Sequence, residues 1–453
     1  MTALPQDWIA CTLDDIKGAG PHAIAGGPFG SDLGRADYVP YLPDTRGLSA
    51  VPVIRGSNLG AGEARFYTDD LVFISPTKAE QLARHTALPG DVVVTQRGTL
   101  EQVGLVPNGT PWPRFILSQS QMKITVDPAR ADPEYIFYWL LTPEIRDYVA
   151  RHTIAAGVPH TNLAVLRQTP VRLPPLGQQR AIARALGHLD ARAALAQTMN
   201  DELDRLVRLL FRTWFMEHAP TDSRAAGELH LSTSFGEAAL FPATRALAAG
   251  PIGPLPTGWR AVPLTACASF QNGTPFTGDD FCLSGHGKPV IKIGEIKRGI
   301  TDQTRWAADP PGARAIDDDD LLMSWSGNPH TSIGTFLWHG GPAWLNQHIF
   351  KVVPPAPRWR AFTYCLLREL QPRFVQLARS RQTTGLGHVS QKDMQTLIVP
   401  RPPDALAEAF ERRTAPAFAR IAAHGQLQRT LVRAREALLV KLTTGELPAT
   451  RLP

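Results

Sequence analysis

Four short segments of this chain occur twice in the same order, and that duplication limits the folds open to it more than any other feature. Leu4-Pro5-Gln6-Asp7-Trp8 is echoed by Leu255-Pro256-Thr257-Gly258-Trp259. Ser118-Gln119 and Asn346-Gln347 each lie inside a strand-like run, at 114–126 and 342–353. Gly157-Val158-Pro159-His160 matches Gly385-Leu386-Gly387-His388, and Val171-Arg172-Leu173-Pro174-Pro175 matches Val399-Pro400-Arg401-Pro402-Pro403. The last three matches share one offset, 228 residues. The tryptophan pair is offset by 251, so the first copy is about 23 residues longer in its early loops.

Each copy begins with a globular portion of mixed strands and short helices, at 1–172 and 251–400. The apolar runs at 91–94 and 321–323 read as matched strands, and Tyr135–Leu141 and Phe362–Leu370 read as short buried helices. A Pro-Pro stop then precedes one long helical stretch in each copy, at 173–218 and 401–447. In the first stretch Ile182, Leu186, Leu189, Ala193, Ala196, Asn200, Leu203, Val207, Leu210 and Trp214 alternate steps of four and three. Only Asn200 is polar in that row, and a single seam amide fixes register at some cost in stability. In the second stretch Phe410, Ala417, Ile421, Leu431, Leu438 and Leu442 keep a similar seam, Pro416 is expected to kink or restart the helix, and Gly445 to stop it. Two amphipathic helices packed on their own domains would show the same period, but a stripe this long calls for a partner of equal length, which the other copy supplies. Residues 219–250 read as a linker with a short amphipathic piece near Phe235–Phe241. The expected fold class is α+β: two similar mixed α/β domains separated by two long antiparallel helices with pseudo-twofold symmetry.

Composition narrows the function. The 453 residues are 43% hydrophobic and 19% charged, ordinary values for a globular protein. Residues 1–218 carry 21 basic and 22 acidic groups and residues 251–453 carry 24 and 16, so the second copy holds the surplus behind the net +6. That permits nucleic acid as a partner without requiring it. Cys11, Cys267, Cys282 and Cys365 form no C-x-x-C pair, which argues against a zinc ribbon and fits a reducing compartment. The chain opens without a basic-then-apolar leader and has no apolar run near 18 residues, so a cytoplasmic protein without a membrane partner is expected. No phosphate-binding G-x-x-x-x-G-K-[ST] loop, H-E-x-x-H or G-x-S-x-G motif occurs, and Asn328-Pro329-His330 lacks the second proline and aromatic of an amino-methyltransferase tetrapeptide. A long chain without a catalytic signature is a candidate binding or scaffolding subunit.

Two similar domains separated by antiparallel rods suit a DNA site with two half-sites and an unread gap, the gap being set by rod length. The residues also support a resemblance. Leu173-Pro174-Pro175-Leu176-Gly177-Gln178-Gln179-Arg180-Ala181-Ile182, the heptads, and Leu209-Leu210-Phe211-Arg212-Thr213-Trp214-Phe215 resemble the central conserved region of specificity subunits from type I restriction–modification systems. Asn346-Gln347-His348-Ile349-Phe350 with the tail Lys441-Leu442-Thr443-Thr444-Gly445-Glu446-Leu447 is similar to their distal conserved region. Arg401-Pro402-Pro403-Asp404 lacks the Leu-Gln part of the box, so a less regular start to the second rod is expected. The resemblance implies two target-recognition domains on double-stranded DNA. It also implies rods that space them and dock DNA adenine methyltransferase subunits carrying S-adenosylmethionine. A motor–nuclease restriction subunit using ATP and magnesium would join these, leaving this chain non-catalytic, without cofactor or metal.

Arg and Lys favour guanine and Asn and Gln favour adenine in the major groove. The candidate DNA contacts are therefore Arg55, Ser57, Asn58, Arg97 and His160 in the first copy, and Lys292, Lys297, Arg298, Asn328, His330, Arg381 and His388 in the second. Asn58, Asn328 and Gln119 equally suit turn capping, and Gly98 and Gly327 suit positive-φ turns. Gln119 and Gln347, inside strand-like runs, read as structural. Glu295-x-Lys297 with Asp279 or Asp280 outlines half of a nuclease metal site, and the run Asp317–Asp320 reads as a solvated turn. Two alternatives thus stand beside the DNA-binding subunit: a stand-alone metal-dependent nuclease using Glu295 and Lys297, and a helical scaffold that does not bind DNA.

Overall fold

The computed structural model describes residues 5–40, 50–60, 64–68, 70–154, 157–245, 252–301, 303–382 and 386–448. Leu4, Gly385, the linker end at 246–250 and the side chain of Arg298 lie outside the described residues. The chain forms two compact units, 1–195 with 428–453, and 196–427, so the division falls within both long helices.

In the first unit, Ile24–Gly26, Gln121–Ile124, Val92–Thr95 and Val103–Leu105 form an antiparallel sheet in that order. A five-stranded sheet runs Tyr38–Val39, Val72–Ile74, Val51–Ile54, Phe115–Leu117, Thr86–Ala87, with its third and fourth strands parallel. Ile9–Thr12 pairs with Pro170–Leu173 to bring the chain's start beside the entrance to the long helix. The second unit repeats this strand for strand. Its four-stranded sheet is Ser269–Asn272, Ile349–Val353, Leu321–Ser324, Gly334–Leu337. Its five-stranded sheet is Phe281–Cys282, Trp306–Ala307, Lys288–Ile291, Ala343–Leu345, Ala315–Ile316, again with the third and fourth strands parallel. Arg260–Pro263 pairs with Ile398–Arg401. The extra length of the first copy is distributed over several early loops, one of which holds a helix, Pro76–Gln81, between strands whose counterparts are joined by an irregular loop.

The buried helix Pro133–Leu140 shows how local chemistry sets an element. Asp132 accepts the Tyr135 N–H at 3.0 Å as N-cap, and Pro133 occupies the first turn, where no intrahelical N–H is needed. Tyr135, Tyr138 and Trp139 are then fully buried. Its counterpart is Arg360–Glu369, which buries Phe362, Tyr364 and Leu366.

The first rod is a continuous helix, Leu176–Phe211, finished by a wider π turn at Arg212–Met216. Gln179 explains the P-P-L-x-x-Q box. It is fully buried, its Oε1 accepts the Asp132 N–H at 2.8 Å, and its Nε2 donates to the carbonyls of Pro174 at 2.8 Å and Arg130 at 3.1 Å. One side chain thus ties the proline stop to the globular portion. The second rod runs unbroken from Asp404 to Thr443, in contrast to the kink expected at Pro416. Pro416 lies on the exposed face, so the carbonyl it leaves without a helical donor can reach water, while Phe410, Thr414 and Phe418 hold the flanking turns inward. The irregular start expected of this rod is likewise absent: Asp404 stands 228 residues after Leu176, and Ala407 is buried where the first rod has Gln179. Gly445, at φ 76°, follows its end as expected.

Each unit contains an antiparallel pairing of rod segments. In the first, Ile182 and Leu186 share a core with Leu439 and Leu442. In the second, Phe211 packs on Phe410 at 5.9 Å and Asn200 faces Ile421 and His424. Ile182, Leu186, Val207, Trp214, Phe410 and Leu431 are buried, and Leu189, Leu203, Leu210, Ile421 and Leu438 half-buried. The second-rod seam runs more through Phe418 and Leu439 than through the Ala417 and Leu438 read from sequence. The described linker residues pack onto the second unit: Phe241 is fully buried edge-on against Trp214 at 5.3 Å, and Arg245 pairs with Asp222 at 2.5 Å.

Candidate nucleic-acid interface

In both copies the strand-like run containing the glutamine is two strands with a turn between them. Phe115–Leu117 lies in one sheet and Gln121–Ile124 in the other, so Gln119 sits exposed on the crossing turn. Ala343–Leu345 and Ile349–Val353 place Gln347 equivalently. Gly27 and Gly273 press against the carbonyls of Ser118 and Asn346 with no room for a Cβ, which fixes the turn's position. Two further loops join it. The Gln96 and Arg97 N–H groups donate to the Ser120 carbonyl at 2.7 and 3.3 Å, and Arg97 forms a β-bridge with His160. In the second copy the Trp325 N–H donates to the His348 carbonyl at 3.2 Å, and Ser326–Gly327 pairs with Gly387–His388. Three loops therefore meet along one edge in each copy.

The expected contact residues divide against this edge. Arg97 is exposed on it, with His160 half-buried beside it. In the second copy exposed His388 lies on the edge, and the adjoining loop carries exposed Asn328 and His330. Asn328 Oδ1 accepts the N–H groups of His330 at 3.0 Å and Thr331 at 3.3 Å, so it caps its turn. The exposed Lys297 bonds to the carbonyl of Thr331 on this loop. Lys292 is exposed with its ammonium 5.9 Å from the Phe281 ring centre, and Ser57 is exposed on the loop after Val51–Ile54.

One expectation needs correction, and two of the arginines already have partners within the chain. Asn58 is fully buried; its Oδ1 accepts the Arg55 N–H at 2.8 Å and its Nδ2 donates to the Tyr67 carbonyl at 3.1 Å, so it cannot reach a base. The Arg55 guanidinium is tied to the Asp70 carbonyl. Arg381 is held bidentately by Asp393, at 2.5 and 2.6 Å. Two carboxylates of the nuclease alternative, which pairs Glu295 and Lys297 with Asp279 or Asp280, are engaged locally: Glu295 caps its own helix through the Lys292 N–H at 3.1 Å, and Asp280 accepts the Thr277 N–H at 2.6 Å. No group of three His, Cys, Asp or Glu among the described residues could hold a metal ion.

Each unit fastens its globular part to the first rod through one carboxylate. In the first, the Tyr138 hydroxyl donates to Asp190 at 2.5 Å, and Arg65 donates to Tyr138 at 2.9 Å and pairs with Glu134 at 3.0 Å. Burial holds the Asp190 carboxyl above the usual range, with the Tyr138 hydrogen bond opposing it. In the second, the Tyr364 hydroxyl donates to Asp204 at 2.6 Å, with Arg368 at 3.3 Å and Arg208 at 2.8 Å. Sequence reading missed all four of Tyr138, Asp190, Tyr364 and Asp204. Their one signal was an acidic residue next to the apolar seam of the first rod, at Asp190 and at Asp204.

Fold and edge together define a tandem pair of mixed α/β modules, each seated on segments of two long helices. The family described as "Type I restriction modification DNA specificity domain" matches residues 77–205 and 256–406, more than half of the chain. The chain belongs to this family. It is 25% identical over 195 residues to the type I restriction enzyme EcoBI specificity subunit of Escherichia coli, an alignment covering 42% of this chain and 39% of that protein. It is 18% identical over 374 residues to the MjaIX specificity subunit of Methanocaldococcus jannaschii, covering 79% of this chain and 78% of that protein. Its fold is similar to the crystal structure of the type I restriction–modification system S subunit from M. genitalium, with TM-score 0.50 at 15% identity, covering 98% and 97% of the two chains.

Proposed function

We propose that this chain is the DNA-recognition subunit of a type I restriction–modification complex, each copy reading one half of an asymmetric split site. The observation that carries the reading is the strand-for-strand duplication, which gives two equivalent loop edges in one polypeptide. Arg97 and His160 on one edge and His330 and His388 at the other are the contacts this reading retains. The rods set the gap and dock the DNA adenine methyltransferase subunits. A surface for that exists: Met199, Leu206 and Leu209, spaced by seven and three residues, lie exposed on the first rod, the two leucines each 53% exposed. S-adenosylmethionine belongs to those subunits, and ATP and magnesium to a motor–nuclease subunit, so the chemistry is done outside this chain. This work would take place on DNA in the cytoplasm; no helix among the described residues is long and apolar enough to cross a membrane.

Mapping methylated adenines genome-wide, with and without this gene, tests the proposal. A split motif that vanishes on deletion is expected; an unbroken motif, or no change, refutes it.

A further inference from the structure

The two copies are an internal comparison. Both present the same loop edge, so exposed side chains at matched positions either coincide or differ, and two readers on one backbone distinguish different bases only through side chains that differ. Gln119, exposed, and Gln347, half-buried, coincide, and Val158 and Leu386 are both aliphatic, at 57% and 60% exposure beside the matched histidines. Several positions differ, among them two that adjoin the crossing turn. Arg97 stands where the second copy has Ser326, each followed by a positive-φ glycine, Gly98 at 106° and Gly327 at 122°. Ser120 stands where the second copy has His348, which is exposed, 5.7 Å from the Trp325 ring and 3.3 Å from the Gln347 amide through its Nε2.

Resting on the function proposed above, we infer that Arg97 and His348 are the specificity-determining residues of the first and second half-sites, and that Gln119, Gln347, Val158 and Leu386 make contacts common to both halves. The ligand is a base edge in the major groove. Arg97 offers the paired donors that match guanine O6 and N7, and Ser326 is too short to do so. His348, braced by its neighbours, offers a single ring nitrogen at the second edge, where Ser120 leaves the first edge open.

The test maps methylated adenines in cells carrying the intact system with the wild-type chain, Arg97→Ala, His348→Ala or Ser326→Arg. Arg97→Ala relaxes one base of one half, with about ten- to hundred-fold loss of discrimination there, and leaves the other half and the gap unchanged. His348→Ala does the same in the opposite half, and Ser326→Arg alters a base in that half. Gln119→Ala lowers methylation at all sites without changing the motif. Unchanged motifs in all three altered-reader variants overturn the inference while the split-site reading stands; a wild type without a split motif sinks that reading instead. A Gln119→Ala motif altered in one half overturns the shared role. Where an alanine variant gives no methylation, Arg97→Gln decides: a changed base supports the inference and an unchanged motif overturns it.

Discussion

The duplicated sheet contains the same ion pair twice, in different surroundings, and this yields a quantitative prediction. Lys123 and Asp91 meet at 2.7 Å with side chains only 6% and 1% exposed. Lys123 also donates to Thr125 at 3.0 Å, and Asp91 accepts from the Thr125 hydroxyl at 2.5 Å and the Leu88 N–H at 2.8 Å. Lys351 and Asp320 also meet at 2.7 Å, but are 25% and 24% exposed. Replacing Lys123 with Met leaves a carboxylate out of water with two neutral donors, a loss of about 3–5 kcal/mol. Lys351→Met leaves a carboxylate that water still reaches, a loss of about 1 kcal/mol. Hydrogen exchange of the matched strands Val92–Thr95 and Leu321–Ser324 in the intact chain reads each loss separately. Lys123→Met with Asp91→Leu recovers to within about 1 kcal/mol of wild type, because no unpaired charge remains. Equal losses in the two single variants, or no recovery in the double, would refute this reasoning.

Three further outcomes follow from particular contacts. Asn200 donates to the Ile421 carbonyl at 3.1 Å and its Oδ1 lies 3.0 Å from His424 Nδ1, so an Asn200→Ala, His424→Ala cycle in urea unfolding gives a coupling of about 0.5–1.5 kcal/mol; zero coupling contradicts the register. His218, buried against Trp259, is pushed down to about 4, mainly by burial and then by Arg245. The unfolded chain therefore binds the extra proton first: its stabilising contribution is complete above about pH 6.5 and falls by about 1.4 kcal/mol per unit towards pH 4. His218→Asn, which tolerates the left-handed backbone at φ 59°, flattens that slope in pH-dependent unfolding, and an unchanged slope assigns it elsewhere. Leu206→Glu with Leu209→Glu leaves the thermal transition nearly unchanged but abolishes co-purification with methyltransferase subunits; retained assembly removes this face from the docking surface.

The rods and the duplication were legible because both are periodic: a heptad stripe from Ile182 to Trp214 and a fixed offset survive without any tertiary knowledge. Continuity across Pro416 was not, since it depends on which face of the helix meets water. The crossing turn at Gln119 hid within a run of strand-forming residues, though its serines interrupt that run, and recognising it required knowing that the flanking strands join different sheets. Polar candidates were least legible. Nothing local tells that Asn58 turns inward to Tyr67, or that Arg381 is claimed by Asp393 twelve residues on. Arg97 and His388 carry the same kind of side chain on similar glycine-bearing loops and remain exposed. Side-chain type marked the candidates, and only packing separated them.

The central claim is that two matched readers are spaced by paired rods, and lengthening both rods tests it most directly. One heptad inserted after Ala196 in the first rod and a matching one before Leu427 in the second preserves the seam period and adds about 10 Å, near three base pairs. The methylated motif should keep both halves and gain about three base pairs of gap. A motif with its gap unchanged, made by a folded and assembled variant, would contradict the account.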